Sequence, residues 1–240
     1  MPKSLFFITF MVMLRSACAQ ELTAQEQRWL EAGDAVITYA RDAGLPLDII
    51  VQPKPHPGAV PLALGFSGGR CKLVFSMRGN TQAEAILQEV PEQQRGWMIE
   101  AMMAHELGHC WRYAQGNWHR PPSGFVEPAL PLPNAPAAAA DKALAGLATE
   151  LRETRREEGY ADLAALAWIG QRRPAAYGAV YGWMRQVRSG QSPAGTQDLG
   201  SHDTLAWLRL APDGASFDPR QAPFEQAFSL WAEGLRATGP

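Results

Sequence analysis

Cysteine is scarce in this 240-residue chain: Cys18, Cys71 and Cys110 are the only three, too few for a structural metal site of four thiolates. No run of 18 consecutive apolar residues occurs, which excludes an ordinary membrane-spanning helix. Internal repeats are absent, and the only low-complexity stretch is the short alanine run at 137–140. Excess charge is missing too. With 22 basic and 24 acidic residues the formal net charge is −2, so nothing in the composition invites nucleic acid. Histidine numbers only five, yet two of the five stand four residues apart.

The first residues read as a secretory signal peptide rather than as part of a fold. Lys3 supplies a short positive region, Leu5 to Leu14 is a ten-residue apolar run, and Ala17-Cys18-Ala19 is an A-x-A cleavage site before Gln20. Cleavage after Ala19 is expected, with export of a chain that has no transmembrane segment. Lipid attachment through Cys18 is the weaker alternative, because Arg15-Ser16-Ala17 puts a charge where a lipobox wants an aliphatic residue. Removal of Lys3 and Arg15 leaves 20 basic residues against 24 acidic ones, a net charge of about −4. A hydrophobic fraction of 46% is enough for one good core, so residues 20–240 are expected to form a single domain. Its two remaining cysteines, Cys71 and Cys110, are compatible with one disulfide or with two buried thiols.

Periodicity then divides the chain. Thr23 to Ala43 reads as an amphipathic helix ended by Gly44. Leu47–Val51, Val60–Phe66 and Cys71–Met77 read as strands, the last two joined by a hairpin at Ser67-Gly68-Gly69. The Cys71–Met77 strand is either a sheet edge to which an extended peptide could add or an ordinary core strand. A helix is predicted from Glu92 to Gln115, with Trp97, Ala101, His105, Gly108 and Arg112 near one side, stopping at Gly116. The six prolines between Asn117 and Pro136 preclude a helix there and predict a loop. A second long helix follows from Ala137 to about Gln171, then shorter ones over Ala179–Val187, Asp203–Leu210 and Phe224–Leu235. The expected fold is α+β, a small and mainly antiparallel sheet packed on the two long helices.

Within the first long helix stands His105-Glu106-Leu107-Gly108-His109. Helical geometry puts the two imidazoles on one face, close enough to grip a single Zn²⁺ ion at about 2.0–2.1 Å. Glu106 then lies where a carboxylate can take a proton from water at the open position. A catalytic site needs a third protein ligand. Arg112 and Gln115 stand where the metzincin extension requires Gly and His, so that class is excluded; His119 remains in range by sequence. The better candidate lies in Glu158-Gly159-Tyr160-Ala161-Asp162 on the second long helix, where two carboxylates four residues apart interrupt an otherwise apolar stripe. Both can face the histidines, one as ligand and the other as acceptor for an imidazole N–H.

With H-E-L-G-H and E-G-Y-A-D in hand, and more loosely Ser201-His202 followed by Arg209, the chain resembles the gluzincin metallopeptidases. Within them it is similar to the family of the CAAX prenyl endopeptidases, the membrane protease HtpX and their soluble periplasmic relatives. The resemblance implies a zincin-like fold, one zinc ion on His105, His109 and Glu158, and Glu106 as general base. It implies that Asp162 orients His105, that His202 steadies an oxyanion or caps the resting zinc, and that Arg209 stands nearby. The implied activity is zinc-dependent hydrolysis of peptide bonds in envelope or exported proteins, in the periplasm. The alternative is a zinc-binding, chaperone-like protein of the same fold without turnover.

Overall fold

Helix α1 (Ala24–Asp42) starts from a capping box in the computed structural model of the chain, which describes residues 21–56, 59–116, 137–189 and 202–237. The Thr23 hydroxyl accepts from the Glu26 amide at 3.2 Å while the Glu26 carboxylate accepts from the Thr23 amide at 2.7 Å. Trp29, Val36, Ile37 and Ala40 recur at helical spacing and are buried, so this face becomes one wall of the core. The signal segment 1–19, the proline-rich stretch 117–136 with His119, and Ser201 lie outside the described residues.

Three short strands follow: β1 (Leu47–Val51), β2 (Leu62–Ser67) and β3 (Arg70–Phe75). Gly68 and Gly69 both have positive φ, 60° and 73°, the backbone that a tight two-residue hairpin between β2 and β3 requires. β2 pairs antiparallel with β3, Leu62 opposite Phe75, whereas β1 pairs parallel with β3, Leu47 opposite Cys71. The order is therefore β1-β3-β2. One sequence expectation is corrected here: the sheet is mixed rather than mainly antiparallel. Of the two readings open for the third strand, β3 takes the core one, as the central strand. Its inward side chains, Cys71, Leu73 and Phe75, are fully buried between neighbours on both sides. The free edges belong to β1 and β2.

α2 (Glu92–Ala114) and α3 (Ala137–Arg172) are the long helices, followed by α4 (Tyr177–Arg188), α5 (Leu205–Leu208) and α6 (Pro223–Ala237). Residues 160–169 of α3 are buried on every side, so the second half of this helix is the axis on which α2, α4, α5 and α6 pack. A Cβ on Gly33 would lie 2.6 Å from Met103 Cγ, which shows how closely α1 approaches α2. Cys71 and Cys110 are bridged, with a Cα separation of 5.8 Å, and tie β3 to α2 in the buried core. The molecule is thus α+β and mostly helical, with a small three-stranded sheet at one side.

Candidate metal centre

The two histidines of α2 stand one turn apart, their rings 4.8 Å between centroids and nearly perpendicular. What brings α3 to them is the residue between. A Cβ on Gly108 would sit 2.8 Å from the Ala164 Cβ, closer than side-chain carbons approach, so the crossing of α2 over α3 depends on its absence. Six residues earlier on α3 is Glu158. Its Oε2 is 3.3 Å from His105 Nε2 and its Oε1 is 3.5 Å from His109 Nε2. One donor atom from each of the three lies within 4.8 Å of the others, and the side chains are 13%, 3% and 7% exposed for His105, His109 and Glu158. Donors held at about 2.0–2.1 Å from a tetrahedral ion are separated from one another by roughly 3.3–3.4 Å. The two His–Glu spacings, each to a different oxygen of the carboxylate, are close to that figure, and the donor set of two imidazoles and a carboxylate suits zinc.

A second set of contacts surrounds the first. Asp162 Oδ1 is 2.9 Å from His105 Nδ1, on the ring edge opposite the cluster. Arg188, the last residue of α4, donates to both Asp162 oxygens, at 2.8 Å from Nε and 2.6 Å from Nη2. The Thr204 hydroxyl donates to Asp162 Oδ2 at 2.5 Å. His202 Nε2 stands 3.7 Å from Glu158 Oε2, and its side chain is 42% exposed. Arg112 closes the far end of the helix pair. It donates to Glu157 through Nε and Nη2 at 2.7 and 2.5 Å, with its guanidinium carbon 4.2 Å from the Trp231 ring centroid.

Burial and charge oppose each other throughout this cluster. Burial pushes the His105 pKa down, but Glu158 and Asp162 outweigh it and raise it to about 10. For His109 burial prevails over Glu158 and the pKa falls. Burial works against the charge on Glu158 and on Asp162 as well. The cationic groups beside them prevail, His105 foremost for Glu158 and Arg188 foremost for Asp162, holding both below the ordinary carboxylate range. Glu106 is the exception: burial first, then the Glu158 charge, lifts it to about 7 against the pull of His105, Arg188 and His202.

The structure therefore brings together His105, Glu106, His109, Glu158 and Asp162, with His202 at the rim. Arg209 is not among them. It is exposed at the end of α5, and none of its described contacts reaches Asp162 or Glu158; an arginine does serve the site, but it is Arg188. Neither Arg188 nor Thr204 is visible in the sequence, because no spacing rule links α4 or the α5 cap to the carboxylates on α3. The helical spacing of Glu158 and Asp162 was the available signal. A cavity of about 300 Å³ lies elsewhere, between α4 and the start of α2, lined in part by Ile86, Met98 and Trp183, and contains none of the cluster residues. Compared with protein-family models, curated proteins and solved structures, the chain matches none.

Proposed function

We propose that the chain is a zincin-like metallopeptidase of the gluzincin kind, which binds one zinc ion on His105, His109 and Glu158 and hydrolyses peptide bonds of envelope or exported proteins. The observation that carries this reading is the spacing of the three donors, 3.3 and 3.5 Å between Glu158 and the imidazoles, with a carboxylate of raised pKa next to them. Three ligands without a thiolate form the catalytic pattern rather than the structural one, and Cys110, the cysteine nearest in sequence, is consumed in its disulfide.

Bound there, zinc would supply Lewis-acid chemistry, polarising a carbonyl oxygen and bringing the pKa of a water close to 7. The chain's own residues do the rest. Glu106, buried beside the donor cluster, is placed to accept a proton from water and pass it to the leaving amine. Asp162 holds His105 by Nδ1, which turns Nε2 toward the other two donors. His202, exposed at the rim, is placed to donate to a developing oxyanion. The Cys71–Cys110 bridge supports an oxidising, exported setting.

Incubation of the purified protein with a peptide library tests the reading. Cleavage that is lost on chelation and restored by zinc is expected, and Glu106→Gln should retain the metal while losing about 10²-fold or more in rate. Equal rates for the parent and Glu106→Gln would exclude the mechanism. A zinc-loaded parent that cleaves nothing would favour a non-hydrolytic binding protein.

A further inference from the structure

The Asp162 carboxylate has its acceptor capacity fully used. Oδ1 meets His105 Nδ1 at 2.9 Å and Arg188 Nη2 at 2.6 Å; Oδ2 meets Arg188 Nε at 2.8 Å and the Thr204 hydroxyl at 2.5 Å. A carboxylate offers about four lone-pair sites, and here four donors fill them. The two-point grip by Arg188 also fixes the plane of the group, because a guanidinium and a carboxylate meet as parallel forks. That plane decides where Oδ1 points, and it points at His105.

Arg188 does one thing more. Its Nη2 lies 3.4 Å from Glu158 Oε2, so a single guanidinium reaches both carboxylates of the α3 stripe. Like charges one turn apart on a helix face repel each other, and both side chains are largely buried, where an uncompensated charge is costly. Glu158 keeps its Oε1 toward His109, while Asp162 has no lone pair left to offer. The arginine is itself well anchored. It ends α4, where the helix dipole favours a cation, and α4 is pinned by the Trp183 indole donating to the Ile86 carbonyl and by the Tyr177 hydroxyl donating to the Ala211 carbonyl.

We infer that Arg188 is a positioning residue that divides the labour between the two carboxylates, committing Asp162 to His105 and leaving Glu158 for the metal. It acts chiefly through Asp162, across three helices. This inference rests on the metal-site reading above.

Zinc affinity, measured by competition with a chromophoric chelator, tests it in a double-mutant cycle. The parent, Arg188→Met, Asp162→Asn and the double variant are compared, with circular dichroism as the check on folding. Arg188→Met should weaken zinc binding by about 10–100-fold, the usual effect of disturbing a group behind a ligand. Arg188→Lys should fall between it and the parent, since an ammonium restores the charge without the two-point grip. In the Asp162→Asn background, loss of the arginine should weaken zinc binding less than it does in the parent, because only its 3.4 Å contact with Glu158 remains. Equal losses with and without Asp162, or an Arg188→Met affinity within threefold of the parent, would overturn the inference while leaving the zinc site intact. A parent that binds no zinc would overturn both. If Arg188→Met does not fold, Arg188→Lys compared in the two backgrounds carries the same test: a larger loss in the Asp162 background supports the inference, and an equal or absent loss overturns it.

Discussion

Two glycines shape the centre as much as His105, His109 and Glu158 do. Gly108 lets α2 lie against Ala164, and Gly159, next to Glu158, faces an indole: a Cβ there would be 2.3 Å from Trp207 Cδ1. Trp207 is clamped on its other side by Gly234, and three residues before it stands the Thr204 that holds Asp162. Gly108→Ala should therefore cost about 1–3 kcal/mol by overpacking, read as a lowered midpoint of chemical denaturation, and should weaken zinc binding because Glu158 moves off with α3. An unchanged midpoint would mean that the helices separate without penalty. Asp162→Ala tests the orienting contact alone, with an expected loss of roughly 10–100-fold in zinc affinity and retention of some binding; an unchanged dissociation constant would make the carboxylate merely structural. His105, Glu106, His109, Glu158 and Asp162 were legible in the sequence because a 3.6-residue period places each pair on one face of its own helix. Gly108 was legible as a helix-face residue, but its contact with Ala164 was not. A close approach belongs to two elements at once, and sequence spacing describes only one.

At the scale of elements, the helices carry their own punctuation. α1 is capped by Thr23 and begins at Ala24, and α2 and α3 begin at Glu92 and Ala137 as predicted. The α1 cap has a measurable pH dependence. Glu26 is fully buried; burial opposes its charge, but hydrogen bonds from Arg78 and Thr23 prevail and its pKa is lowered. A carboxylate whose folded pKa is depressed contributes stability above its unfolded value, and that contribution is lost as pH falls through the folded one. The parent should therefore exceed Glu26→Gln in melting temperature at pH 7, and the gap should narrow as the pH falls below 4.5, the ordinary value for this carboxyl. A gap that is constant with pH would show that the charge of Glu26 contributes nothing. The sheet was less legible than the helices. The Gly68-Gly69 turn specifies that β2 and β3 pair, but no local signal says that β1 docks on the opposite side of β3 and runs parallel to it. Strand order is a long-range choice, made here by burial of Cys71, Leu73 and Phe75 at the centre. For the same reason Arg188, delivered by α4, stayed invisible while Arg209 looked plausible.

Across the whole molecule, the sheet and α2, the helix with the two histidines, are one covalent unit through Cys71 and Cys110, which are 39 residues apart, Cys110 directly following His109. Closure of a loop of that length stabilises by about 4 kcal/mol in the chain-entropy model. Replacement of both cysteines by serine should lower the melting temperature by roughly 10 °C, given about 2–4 °C per kcal/mol for a chain of this size; a shift under about 3 °C would mean that packing alone holds β3 on α2. Around that unit, α3 contributes Glu158 and Asp162, α4 contributes Arg188, and the turn before α5 contributes His202 and Thr204, so the proposed centre exists only when four helices are assembled. The most direct measurement is the metal content of the purified protein by elemental analysis, for the parent, Glu106→Gln and Glu158→Ala. The account predicts one zinc per chain in the parent and in Glu106→Gln, and none held stoichiometrically by Glu158→Ala. Full occupancy in Glu158→Ala, or a parent without zinc, would contradict it.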